Sequence, residues 1–220
     1  MNIEQLISPV VPTLELTDTG SRALSLMEEN NFAHLPVLEE QQYKALIHEN
    51  ELLDWEMPES PLSSADFLSY RPAVFSSSHP YDALRIAHQY NLSIVPVIDG
   101  SNNYLGAITR NGLLTYITES SGLDNPGAII VLELDPRNYT LVEIARICEN
   151  EDVLIISTQL RNNLHSGKIE VTIKTNRNNL GGVISSFERH GYKVKDVYGE
   201  KNNEEDMRDR YDMLMNFINM

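Results

Sequence analysis

Two regimes of apolar patterning meet between residues 91 and 114. Ile94-Val95-Pro96-Val97-Ile98 is an unbroken, β-branched run stopped at Asp99-Gly100, which predicts a buried strand ending in a turn. Tyr104 to Thr109 predicts a second short strand, and Arg110 to Thr118 a helix. The same order occurs earlier in the chain. Leu35-Pro36-Val37-Leu38 and Tyr43 to His48 predict two strands around the polar turn Glu39-Glu40-Gln41-Gln42, and Glu49 to Trp55 predicts a closing helix. A shift of about 60 residues, within the range at which repeats are sought, lays Pro12 on Pro72, Ala23-Leu24 on Ala83-Leu84, Asn31 on Asn91 and Pro36-Val37 on Pro96-Val97. One extra residue in the second turn then lays Glu51-Leu52-Leu53 on Gly112-Leu113-Leu114. Prolines and helix faces that coincide at one shift establish an internal duplication.

Each repeat is expected to open with a short helix, Asn2 to Ile7 and Ala65 to Tyr70, followed by an extended approach set by Pro9, Pro12 and Pro72. Thr17 or Asp18 caps the first long helix, whose apolar positions are Ala23, Leu24 and Met27. His79-Pro80 starts its counterpart, with Ala83, Leu84, Ala87 and Tyr90 on one face. Glu119 to Gly127, with Ser120-Ser121-Gly122 and Asn125-Pro126-Gly127, reads as a domain boundary. Beyond it the pattern is strand, helix, strand, strand, helix, strand, from Ala128 to Val197. Met207, Tyr211, Leu214, Met215 and Ile218 then recur at helical spacing. That last helix packs on its own domain, on a twin subunit or on another partner. The expected division is 1–60 and 61–122 for the repeats, 127–199 for the βαββαβ unit and 200–220 for the terminal amphipathic helix.

Charge narrows the partners. Lys+Arg 17 against Asp+Glu 32 gives −15, so nucleic acid and anionic membrane surfaces meet net repulsion, although a local phosphate pocket remains compatible. Met1-Asn2-Ile3-Glu4 lacks the cationic and apolar pattern of a secretion signal, and no apolar run approaches the roughly 20 residues that span a bilayer. A single cysteine, Cys148, suits a reducing cytoplasm. His34, His79, His88, His165 and His190 lack a second ligand at metal spacing, and no nucleophile motif, phosphate-cradling loop or acid–base carboxylate pair stands out. No catalytic residue and no metal ligand is expected.

Gly106-Ala107-Ile108-Thr109-Arg110-Asn111-Gly112-Leu113-Leu114, after the Pro96-Val97 strand, resembles the G-h-h-T/S-x-x-D-L-L signature of the CBS domain (the cystathionine-β-synthase module), with Gly112 at the aspartate. The duplication then resembles a tandem CBS pair. The βαββαβ region is similar to an ACT domain, and the whole, from about Ile7 to Val197, resembles the bacterial acetoin utilisation protein B family. The expected fold class is therefore α+β: two tandem CBS repeats followed by a ferredoxin-like domain. The resemblance implies a regulatory homodimer, paired through its CBS and ACT-like domains, with adenosine compounds in clefts between the CBS sheets. AMP, ADP, ATP or S-adenosylmethionine would be the regulatory ligand. It further implies Thr109 at the ribose, Arg110 at a phosphate, and Val74, Ile94 and Pro96 around the base, with Asn111 and Gly112 completing the signature. In the first repeat Ala45, His48 and Glu51 hold the glycine, threonine and aspartate positions, and Glu51 could reach a ribose. Glycine cannot accept the two hydrogen bonds that a carboxylate takes from a vicinal diol. The alternatives are a structural cleft in which Thr109 caps its helix, an assembly protein with empty sites, and an enzyme acting on acetoin. In the ACT-like loop Asp135 to Leu141, Asn138 replaces the family's glycine and is expected to keep its left-handed turn.

Overall fold

The computed structural model describes residues 2–163 and 166–199; His165 and the helix expected over 200–220 lie outside them. The chain forms two compact units, Met1–Ile117 and Thr118–Met220.

In the first unit, one repeat contains β1 (Leu14–Glu15), α1 (Gly20–Asn30), β2 (His34–Glu39), β3 (Gln42–His48) and α2 (Glu49–Leu53). The other contains β4 (Val74–Phe75), α3 (Pro80–Gln89), β5 (Ile94–Ile98), β6 (Tyr104–Thr109) and α4 (Arg110–Ser120). Each makes a three-stranded sheet in the order β1-β2-β3 or β4-β5-β6, parallel across the first pair and antiparallel across the second. The duplication extends to the ladder. Leu14 lies opposite Val37 and Val74 opposite Val97, Pro36 opposite Leu46 and Pro96 opposite Ala107, His34 opposite His48 and Ile94 opposite Thr109.

The prolines fit central strands for a local reason. The backbones of Leu46 and Ala107 bond outward, away from the prolines, so each proline nitrogen faces the strand on its other side. That strand is two residues long and pairs only the positions after the proline, so the missing N–H forfeits no ladder bond. Each long helix closes on an asparagine in the left-handed region, Asn31 (φ 57) and Asn91 (φ 51). The cap of α1 is Thr19, whose Oγ1 accepts from Arg22 N at 3.2 Å, and not Thr17 or Asp18. Asp18 is drawn away by Glu15 N at 2.8 Å and by the Arg22 guanidinium at 2.9 Å.

The short helices expected at the start of each repeat form only 3-10 turns, Glu4–Leu6 and Leu62–Ser64, and residues 65–70 are not helical. Tertiary pairing outweighs local propensity here. Ser8 N donates to Ala107 O at 2.9 Å, and Leu46 N donates to Tyr70 O at 2.9 Å, so the chain leading into each repeat lies along the last strand of the other. The cores are closed the same way. Ile3, fully buried, with Leu6 and Ile7, packs on the core of the second repeat, while Leu62, Phe67 and Leu68 pack on that of the first.

The second unit has β7 (Ile129–Leu134), α5 (Leu141–Asn150), β8 (Ile155–Asn163), β9 (Lys168–Thr175), α6 (Gly181–Arg189) and β10 (Lys193–Tyr198). Its antiparallel sheet has the order β10-β7-β9-β8, the ferredoxin-like βαββαβ arrangement. Ile130, Leu132, Val171 and Ile173 meet Ile144, Val183 and Phe187 of the helices in one core. Lys193, Glu133 and Lys168 are joined by ion pairs across the opposite face, and Glu170 pairs with Lys195.

Candidate functional site

In the second repeat the signature occupies the turn from β6 into α4. Thr109 Oγ1 accepts from Gly112 N at 3.0 Å and so caps the helix, leaving its own hydroxyl hydrogen free to donate. A Cβ at Gly112 would meet Thr109 Oγ1 at 3.4 Å and Leu6 O at 3.8 Å, an ordinary contact distance. Gly106 is constrained much more tightly. At φ +143 its missing Cβ would sit 2.3 Å from Ile7 Cγ2, so glycine lets the amino-terminal segment close over β6.

Asn111 is exposed, while Pro96, Ile94 and Val74 are buried, the last two inside the repeat's core. Arg110 does not reach into the cleft as a free cation. Its Nη2 donates to Leu92 O at 2.9 Å and to Asn91 O and Oδ1 at 3.2 and 3.1 Å, and Nε donates to Leu92 O at 3.2 Å. The guanidinium thus fastens the start of α4 to the chain that enters β5. These carbonyls lie 18 and 19 residues away in sequence, and no local motif announces them.

The first repeat treats the same positions differently. His48, at the threonine position, caps α2 with its ring: Nδ1 accepts from Asn50 N at 3.0 Å, and Glu51 Oε2 accepts from His48 N at 2.7 Å. Glu51 is thereby committed to its own helix, and Ala45 is fully buried. Behind this turn His34, 5% exposed, sets its ring edge-on to His48 with centroids 4.6 Å apart. His34 Nδ1 accepts from Ser93 N at 3.2 Å, which places the proton of the neutral ring on Nε2. Burial, then the His48 and Arg110 charges, lower its pKa from 6.5 to about 4.

The two repeats meet at a pair of equivalent tyrosines that sequence reading passed over, although the repeat shift aligns them. Tyr43 and Tyr104 stack with centroids 6.4 Å apart. Tyr43 N donates to Asn102 O at 3.1 Å and Tyr104 N to Gln41 O at 2.8 Å, a reciprocal exchange about a local pseudo-dyad. Tyr43 OH donates to Pro72 O at 3.0 Å, whereas Tyr104 OH is buried with no hydrogen-bond partner among the described residues. Burial raises both phenols above their ordinary range.

Two further hollows carry mixed chemistry. Between α3 and α4 lies a groove of about 350 Å³, lined by Leu84, Ala87, Leu113, His88 and Arg110 among others. In the second unit, a hollow of about 400 Å³ surrounds the loop after β7 and includes Arg137, Glu143, His190 and Tyr192. Tyr192 OH donates to Glu143 Oε2 at 3.0 Å, and burial with that bond pushes the phenol up to about 12. Asn138 is not left-handed. Pro136 starts a 3-10 turn, Asp135 Oδ1 accepts from Arg137 N at 3.0 Å, and Tyr139 packs against the core.

Two further histidines lie against the backbone of their own helices. His79 Nδ1 accepts from Tyr81 N at 3.1 Å and caps α3, and His190 Nδ1 lies 2.8 Å from Ser186 O. Cys148 is buried and its thiol pushed up to about 11 by desolvation. Among the described residues no group of three or more His, Cys, Asp and Glu could hold a metal, and no helix is long and apolar enough to cross a membrane.

Comparison with known proteins gives a match to the CBS domain over residues 3–57 and again over 65–119. Among solved structures, a CBS domain pair/ACT domain protein from Thermotoga maritima is similar at 18% identity, with 54% of this chain and 98% of that one covered and a TM-score of 0.48. CBSX2 in complex with AMP is similar at 18% identity over 54% of this chain and 96% of that one, TM-score 0.47. CbpB in complex with c-di-AMP is similar at 21% identity over 54% and 85%, TM-score 0.45.

Proposed function

The chain belongs to the CBS-domain family, and from that premise we propose that it is a non-enzymatic regulatory protein whose second repeat takes an adenosine-containing nucleotide. One contrast supports this reading. At the start of α4, Thr109 keeps a donor hydrogen beside the uncrowded Gly112, whereas His48 and Glu51 are both committed to capping α2. Thr109 would donate to a ribose oxygen. The nucleotide would favour one arrangement of the repeats in a cytoplasmic homodimer, and the ferredoxin-like domains would carry that bias to a partner. Such a shift requires that the ligand bind one arrangement better than the other. The resemblance to the acetoin utilisation protein B family adds a setting in the use of small metabolites.

Isothermal titration of the full chain with AMP, ADP, ATP, S-adenosylmethionine and cyclic di-AMP tests the reading. It expects saturable heat with at least one of them, lost on Thr109→Val. Silence with all five would overturn it in favour of an assembly protein with empty sites. That second reading draws support from the closed packing of Val74 and Ile94 and from the carbonyl partners that hold Arg110.

A further inference from the structure

The tyrosine pair at the pseudo-dyad is equivalent in place and unequal in bonding. Tyr43 OH donates to Pro72 O, and Tyr104 OH, equally enclosed, meets no acceptor among the described residues. The counterpart of Pro72 is Pro12. Each proline stands two positions before the first residue of its strand, Val74 or Leu14, and these lie opposite Val97 and Val37. The acceptor expected for Tyr104 is therefore Pro12 O, and that bond is not made.

Chain length supplies the reason. The two approach segments cross equivalent places on the last strands, Tyr70 at Leu46 and Ser8 at Ala107. Val74 follows Tyr70 by four positions, whereas Leu14 follows Ser8 by six. The surplus is taken up in a turn at Pro9 and Val10, where Val10 is 64% exposed. Before the turn Ile7 closes on Gly106, and after it Leu14 is held by β2, so the slack is confined to residues 9–13. The chain entering this segment also borders the start of α4, because Leu6 O lies 3.8 Å from where a Cβ on Gly112 would stand. An enclosed hydroxyl without a partner carries an uncompensated desolvation cost, which favours any register that supplies an acceptor.

We propose that residues 9–13 form a strap with two registers: the slack one of this structure, and a taut one in which Pro12 O accepts from Tyr104 OH. The taut register draws the segment down toward the start of α4, and an occupant beside Thr109 selects it by lying under the strap. The occupant's part rests on the nucleotide of the preceding reading, whereas the two registers stand apart from it. Residues 70–74 have no such slack and their tyrosine is already bonded, so the movable wall belongs to the second repeat.

Urea unfolding of full-length chains tests the registers. Tyr43→Phe should lower the folding equilibrium constant about tenfold, as expected for one hydrogen bond, and Tyr104→Phe should leave it within about twofold. Deleting Pro9 and Val10 removes the slack, and in that background Tyr104→Phe should also cost about tenfold. Amide exchange at residues 10–13 should slow on saturation with whichever nucleotide gives heat. Tyr104→Phe should weaken that nucleotide about fivefold, and Tyr43→Phe should leave it unchanged. A loss from Tyr104→Phe in the full strap as large as that from Tyr43→Phe overturns the proposal, because the hydroxyl then already has a partner. Unchanged exchange at 10–13 with unchanged affinity in Tyr104→Phe overturns it too, and leaves the nucleotide reading standing. If the shortened chain fails to fold, these two measurements on the full strap still decide. Silence with every nucleotide overturns the preceding reading and the occupant's part, and the unfolding series then decides the two registers.

Discussion

The two repeats of the first unit share a ladder register, and on it they place different chemistry. Where the first has His34 and His48, a buried imidazole against a capping one, the second has Ile94 and Thr109. Where the first has Ala45 fully buried, the second has Gly106 under Ile7. At the start of α2 the first repeat commits His48 and Glu51 to internal capping bonds, while at the start of α4 the second has the small hydroxyl of Thr109. A duplicated backbone preserved by prolines, leucines and terminal asparagines leaves the residues between strand and helix free to diverge in one copy.

The sharpest way to break the comparison is at Gly106. Gly106→Val must place a branched side chain where Ile7 lies, at a φ that L residues rarely adopt, so a loss of about 3 kcal/mol is expected in urea unfolding. At Ala45, where no such constraint is present, Ala45→Gly should cost only about 1 kcal/mol. Equal losses would show that the closure over β6 is not what distinguishes the halves.

Next in size is a pH effect confined to the first repeat. The folded state holds His34 near pKa 4 against 6.5 when unfolded, so the unfolded chain takes up the proton first. Its contribution is complete above about pH 6.5 and is lost as the pH falls toward 4, by up to about 3 kcal/mol. His34→Asn keeps an acceptor for Ser93 N and should flatten stability over that window; an unchanged slope would remove His34 as the cause. Ile94 has no proton to exchange at the equivalent place.

The smallest effect sharpens the comparison. Gly112→Asp restores a diol acceptor beside Thr109 and should raise nucleotide affinity by about tenfold to a hundredfold, the worth of one charge-assisted bond. Glu51→Gly in the first repeat should leave affinity unchanged, because that carboxylate is spent on His48 N.

Much of this fold could be read from spacing. The repeat shift located both sheets, and the alternation of Ile169, Val171 and Ile173 located the core face of β9. What escaped depended on residues distant in sequence. Residues 65–70 have helix-compatible composition, but Tyr70 O accepts from Leu46 N of β3, 24 residues away. The carbonyls of Leu92 and Asn91 that accept from the Arg110 guanidinium are 18 and 19 residues away, so sequence gives no sign of them. Asn138 reads as a left-handed turn until Asp135 and Pro136 are seen to build a 3-10 turn instead. The ladder register places His48 and Glu51 at the threonine and aspartate positions, but the capping bonds that occupy them require coordinates.

The crossing of Ser8 onto Ala107 and of Tyr70 onto Leu46 has a bearing on how this unit can come into being. A polypeptide severed near residue 60 would expose a bare strand margin and an uncapped cluster of apolar side chains on each fragment. The halves should therefore melt in a single transition, and either alone should be aggregation-prone until supplied with the other. Duplication, once made, bound the copies into mutual dependence for folding even as their surfaces drifted apart.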